Sequence, residues 1–259
     1  MEIALWQYAI ILPLSFLAGF VDAVAGGGGL ISLPAFLMSG LPIHNVIGTN
    51  KLASSMGTTL ATAKFIRNGY VAWKPAIAGV LCAVAGSSVG ANIALYIDPA
   101  YFRGIILVVL PLTAAYVMTR KSIETDAPPF GERKTILLAM AAAFCIGMYD
   151  GFYGPGTGTF LILLLTGIAH MRVAEANGIT KVINLTTNVT ALSVFLLHGT
   201  VLIELGLIAG ACNIAGNYMG VKYFERNGAG SVKRLILVVL VIFFVKTIWE
   251  TFFQLEISN

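Results

Sequence analysis

The 259-residue sequence predicts an all-α polytopic membrane protein made of two inverted five-segment repeats, each with one short broken helix after a glycine-rich loop. Three observations predict it. Hydrophobic residues make up 58% of the chain and charged residues 11%, and the mean hydropathy is +0.86. Soluble domains carry about 25% charged residues, so there is too little charged surface here to coat a water-soluble globule. Next, apolar runs approaching the roughly 20 residues that cross a hydrocarbon core come in two sets of five. Finally, Gly19-Phe-Val-Asp22-Ala-Val-Ala-Gly26-Gly27-Gly28-Gly29 is echoed by Gly147-Met-Tyr-Asp150-Gly151-Phe-Tyr-Gly154-Pro155-Gly156-Thr157-Gly158, so each set holds an acid followed by a helix-breaking glycine run.

The first run, 4–24, starts without the basic stretch of a signal peptide and continues past Pro13, which reads as a retained first helix. The second, 30–40, rises only about 17 Å against a core of about 30 Å and cannot cross alone. Placing the preceding glycine loop part-way into the membrane repairs this, with the positive N-terminal end of the short helix facing the interior. Runs 46–67, 73–97 and 101–119 complete a first repeat, 1–119. The polar, proline-containing interval 120–134 reads as a cytoplasmic linker. Runs 135–150, 157–168, 175–197, 201–221 and 232–253 form a second repeat, 135–259.

The repeat can be checked by offset. Arg103-Gly-Ile-Ile-Leu-Val-Val-Leu110 matches Lys233-Arg-Leu-Ile-Leu-Val-Val-Leu240 at 130 residues (233 − 103), and the same shift takes Lys51 to Lys181, Phe65 to Phe195, Gly86 to Gly216 and Gly90 to Gly220. The glycine motifs differ by 128 (150 − 22). Charge predicts that the halves are inverted, because cytoplasmic loops collect Lys and Arg. The turn near 70 carries Lys64, Arg67 and Lys74, while its counterpart near 200 has His198 and Glu204. Conversely, the turn at 98 has Asp98 and Arg103, and its counterpart holds Lys222, Arg226, Lys233 and Arg234. Five crossings per half then leave both termini outside.

Irregular backbone survives in hydrocarbon only where it is buried in protein or lines a cavity, so a pair of helix breaks points to a permeation site. Inversion would aim the two short-helix N-termini at one another, and free amides at Gly28, Gly29, Gly156 and Thr157 would form an anion cradle. The following helices carry polar stripes at spacings of three and four: Asn50, Lys51, Ser54 and Thr58, then Asn177, Lys181, Asn184 and Asn188. An intramembrane lysine costs about 2.5 to 3.5 kcal/mol on insertion scales and marks a pathway or an acid partner. The bland alternative for Lys51 and Lys181 is snorkelling to an interface. Asp22 and Asp150 read either as proton-coupling groups or as static partners of a lysine or of loop amides.

Other features have structural readings. Gly86, Gly90, Gly216 and Gly220 have small-xxx-small spacing for close helix packing, and Trp6, Trp73 and Trp249 read as interfacial anchors. Cys82, Cys145 and Cys212 sit in apolar runs without CxxC spacing. No glycine run follows a strand or ends in Gly-Lys-Ser/Thr, so no nucleotide is expected. No cofactor, metal or nucleic acid is expected either. The expected partners are a small anion and membrane lipid, with self-association left open. Beside an exporter stand an importer of another small anion and three further alternatives. A channel would need a continuous pore, an intramembrane hydrolase would need a base near Ser87 or Ser88, and a scaffold would have little reason to bury a polar stripe.

At Gly19 to Asp22 and Gly26 to Gly29, at Gly48-Thr49-Asn50-Lys51, and at Asp150-Gly151-Phe152 with Gly154 to Gly158, the chain resembles the TauE/SafE family of membrane permeases over essentially its whole length. The resemblance implies export of sulfite, sulfoacetate or a related sulfur oxyanion across the bacterial inner membrane. The second half reads Ile179-Thr180-Lys181 where the first reads Thr49-Asn50-Lys51, so the half-sites need not act alike.

Overall fold

The computed structural model describes residues 3–96, 130–228, 230–235, 237, 238 and 241. Its helices are α1 (Leu5–Ala25), α2 (Gly29–Leu37), α3 (Ile43–Arg67), α4 (Trp73–Ala94), α5 (Glu132–Phe152), α6 (Thr157–Gly167), α7 (Val173–Leu197) and α8 (Ile203–Asn227). No strand occurs among the described residues. The run at 101–119, the matched octapeptides, most of the linker and the run at 232–253 with Trp249 lie largely or wholly outside them.

Among the described residues four helices, α1, α4, α5 and α7, are long and apolar enough to cross a membrane. The pattern on α4 shows why such a helix is stable in lipid. Ile77, Leu81 and Val84 project outward, while Ala76, Gly79, Ala83, Gly86 and Gly90 face the bundle. Large side chains meet lipid and small ones let backbones approach, which is how membrane helices gain contact without a hydrophobic drive between them. The two short helices span 9 and 11 residues, a rise of about 13 and 16 Å. α2 stops at Leu37, three residues before the run 30–40 ends. The boundary at 134 also shifts: Glu132, Arg133 and Lys134 form the first turn of α5, with the Glu132 carboxylate at the positive helix end.

Helices of one half pack on helices of the other. α1 lies along α8, α4 along α5, and α3 meets both α7 and α8. A methyl group built on Gly86 would lie 2.3 Å from the Phe144 carbonyl oxygen, and one on Gly90 1.9 Å from that of Met148. On Gly216 and Gly220 it would lie 1.9 Å from the Phe16 oxygen and 2.4 Å from the Phe20 oxygen. Phe16 and Phe20 precede Phe144 and Met148 by the 128 residues that separate the glycine motifs, so one crossing is built twice.

The equivalent helices α3 and α7 run antiparallel. Gly48 near the start of α3 faces Phe195 and Thr200, and Gly178 near the start of α7 faces Tyr70 at the end of α3. Basic residues gather at one end of the bundle. There Lys74 pairs with Glu132 at 2.5 Å, Asn68 donates to Glu225, and the Lys64 and Lys222 ammoniums cap the Tyr218 ring at 3.9 and 4.5 Å. The basic turn near 70, the start of α5 and the end of α8 are therefore neighbours.

Candidate functional site

The two glycine motifs meet inside the bundle. Gly26 ends α1 in the left-handed conformation (φ 72°), its N–H donating to the Asp22 carbonyl at 2.8 Å. A methyl group there would lie 2.3 Å from Gly158 of the opposite loop, so the contact admits only glycine. Thr159 fastens the loops together, its N–H donating to Gly26 O (3.2 Å) and its hydroxyl to Ala25 O (2.8 Å). Both short helices thus begin beside one another in protein, where exposed peptide groups can be satisfied.

Between them lies a cavity of about 20 Å³, room for one water molecule. It is lined by Asp22, Gly28, Gly29, Asn50, Lys51, Ser54, Thr58, Asp150, Thr157, Asn184 and Asn188. Each of these is a residue that sequence singles out. Gly156 and Lys181 stand outside the lining. Gly156 adopts φ 80° as the N-cap of α6, its α-carbon turned toward Leu30 and Phe160. Five further residues complete the wall: Gly26, Leu33, Tyr153, Gly154 and Asn213. Asn213 was legible, since Asn213 and Asn217 put two amides one turn apart in an apolar helix, the same signal that marks the α3 and α7 stripes.

Both lysines are buried, Lys51 at 2% exposure and Lys181 at 0%, so neither snorkels. Each pairs with the acid of the other half. Lys51 Nζ lies 2.8 Å from Asp150 Oδ2, and Lys181 Nζ lies 3.5 Å from Asp22 Oδ2 while also donating to the Asp22 carbonyl. Two cations and two carboxylates cancel, so the paired site is neutral rather than net positive. Isolated charges would be far costlier at this depth, which explains the pairing.

Amides join the two pairs into one chain. Lys51 donates to Asn188 Oδ1 (3.2 Å), Asn188 Nδ2 to Asn184 Oδ1 (3.2 Å), and Asn184 Nδ2 to Asp22 Oδ1 (3.3 Å). Across the cavity the Thr157 hydroxyl lies 2.7 Å from Asp150 Oδ1 and 2.8 Å from Gly154 O. Asn50 is 4% exposed and its Oδ1 receives no hydrogen bond from the described residues. Of the four amides expected to be free, that of Thr157 donates to Gly154 O at 3.3 Å, because the loop folds into a tight turn there. Those of Gly28, Gly29 and Gly156 meet no acceptor among the described residues. The arrangement can present one ammonium, several amides and hydroxyls and two helix N-termini to a small polar solute.

A family model described as sulfite exporter TauE/SafE matches residues 11–247. A probable membrane transporter protein of a Sinorhizobium species is 33% identical over 92% of this chain and 91% of its own. A probable membrane transporter protein of Haemophilus influenzae is 30% identical over 96% and 98%, and one of Escherichia coli is 29% identical over 93% and 90%. No solved structure matches. Buried charge at the meeting of two broken helices, apolar spans and these relatives agree: the chain belongs to the TauE/SafE sulfite exporter family and is a multi-pass membrane transporter.

Proposed function

We propose that the protein moves a small sulfur oxyanion, sulfite or an organosulfonate such as sulfoacetate, outward across the bacterial inner membrane by alternating access. The observation that carries this reading is Lys51, an ammonium at 2% exposure whose Nζ faces a cavity bounded by the N-termini of two broken helices. Around it, Asn184, Asn188, Asn213, Ser54, Thr58 and the Gly28 and Gly29 amides supply donors that replace an oxyanion's hydration shell. The Asn50 amide, with its oxygen unbonded, can turn its Nδ2 inward for the same purpose.

A one-water cavity is too small for an oxyanion, so binding requires the walls to part. The packing favours α1 with α8 and α4 with α5 as the bodies that rock, since each pair is locked by glycine contacts at van der Waals limits. The antiparallel course of α3 and α7 supports an inverted repeat, and the basic end of the bundle is the cytoplasmic one by the positive-inside rule.

Proteoliposomes loaded with labelled sulfite test this. The expected result is saturable efflux with counterflow, lost in Lys51→Met protein that still elutes as a folded species. Unsaturable flux with a continuous current, or full activity in Lys51→Met, overturns it.

A further inference from the structure

We propose that Asp150, and not Asp22, carries one proton along with each anion, a deepening that rests on the anion-transport reading above. The argument starts from hydrogen-bond bookkeeping at the two carboxylates. Asp22 accepts one side-chain hydrogen bond, from Asn184 Nδ2 at Oδ1, while its Oδ2 lies 3.5 Å from Lys181 Nζ and has no hydrogen-bond partner among the described residues. A proton added to Oδ1 would face an N–H and one added to Oδ2 would find no hydrogen-bond acceptor among the described residues, so the surroundings of Asp22 favour the ionised form.

Asp150 differs at one oxygen. Its Oδ2 faces Lys51, but its Oδ1 faces a hydroxyl, and that hydroxyl has a second acceptor within reach in Gly154 O. A hydroxyl owns one proton and can accept another. When Asp150 is ionised, the Thr157 proton points to Oδ1. When Asp150 is protonated, its own O–H donates to Thr157 Oγ1, and the Thr157 proton turns to Gly154 O. No heavy atom needs to move and no buried group is orphaned. In the first half, seven residues after the acid, the position of Thr157 is held by Gly29, which has no hydroxyl to turn.

Charge balance then couples proton to anion. The ionised pair is neutral, and an anion drawn to Lys51 must displace Asp150, leaving an unpaired carboxylate beside a second negative charge. Protonation at Oδ1 removes that conflict and frees the Lys51 ammonium. One proton and one monovalent anion enter together, and the site stays neutral. Other groups around Asp150 do not compete for this role. From α7 come the Asn184 and Asn188 amides and Lys181, which is turned to Asp22. From α1 comes Asp22, held as above. From the end of α5 and its loop come Tyr149, whose hydroxyl donates to Pro155 O at 2.7 Å, and Tyr153. α8 contributes only Asn213 to the cavity, and the buried face of α4 carries Ser87 and no titratable group.

Calorimetry on the purified full chain tests the idea with sulfite, methanesulfonate and sulfoacetate, in buffers of differing ionisation enthalpy and with each probe's own titration subtracted. The expected result is uptake of about one proton per monovalent anion bound, as methanesulfonate or hydrogensulfite, with affinity falling up to about tenfold per pH unit where Asp150 is ionised. Asp150→Asn should bind with no proton uptake, and its flux in liposomes should become sensitive to membrane potential. Asp22→Asn should lower stability or rate yet keep the proton uptake. Zero proton uptake by wild-type protein that binds an anion overturns the proposal without touching the anion reading, and so does Asp150→Asn that retains the wild-type pH dependence. Wild-type protein that binds none of the three probes at any pH overturns the anion reading, and this inference with it.

Discussion

The two ion pairs occupy equivalent places in the two halves and stand in different surroundings. Lys51, Asp150 and Asp22 all line the cavity, whereas Lys181 sits behind it, its ammonium spent on the carboxylate and backbone oxygen of Asp22. The neighbours explain the divergence. Where α3 has Asn50, Ser54 and Thr58, α7 has Thr180, Asn184 and Asn188, longer amides that reach across and tie Asp22 and Lys51 into the chain. The frame holds two positive and two negative charges, and of its two ammoniums Lys51 reaches the cavity while Lys181 does not.

The largest expected effect separates the pairs directly. Lys51→Met should lower transport at least 100-fold, or about 3 kcal/mol of lost stabilisation, measured as sulfite flux per folded protein. Lys181→Met should instead show chiefly as lost stability of about 3 to 5 kcal/mol, because it strands the Asp22 carboxylate; thermal denaturation in detergent reads this. Equal transport defects at equal stability would erase the distinction. Pairwise replacement sharpens it: adding Asp22→Leu to Lys181→Met should restore most of the lost stability, since a buried pair is often replaceable by apolar residues. Adding Asp150→Leu to Lys51→Met should restore stability too, but leave flux absent.

A smaller effect tests where the halves remain alike. Gly90→Ala and Gly216→Ala should each destabilise by about 1 to 3 kcal/mol through contact with a facing carbonyl, by similar amounts, while Gly131→Ala, with open space around it, should change stability by less than about 0.5 kcal/mol. The smallest is at Asn188→Ala, where the hydrogen bonds to Lys51 and Asn184 are lost; the sulfite KM should rise about 5- to 10-fold, matching about 1 to 1.4 kcal/mol, with the maximal rate less affected.

Much of this was legible in residues because membrane burial makes polar ones expensive. Asp22, Lys51, Asp150 and Lys181 stand out in apolar runs, and a constant offset declares which are equivalent. What the offset could not give is who meets whom. Equivalence relates Lys51 to Lys181, but contact joins Lys51 on α3 to Asp150 on α5 of the other half, a pairing that no offset encodes. The same gap hid the neutrality of the site, since counting two lysines in a stripe suggests a cationic lining until each is seen with its acid. Gly154 and Tyr153 entered the wall through loop geometry, with Gly154 at φ 91°, which no spacing rule foretells.

The crossed glycine contacts also govern how the protein can be made. α1 is made before α8, yet the face bearing Phe16 and Phe20 finds its partner only when Gly216 and Gly220 of α8 arrive. Through most of synthesis that face must rest against lipid or the insertion machinery. Truncation anywhere between α1 and α8 therefore leaves α1 without the helix that its Phe16 and Phe20 face packs against.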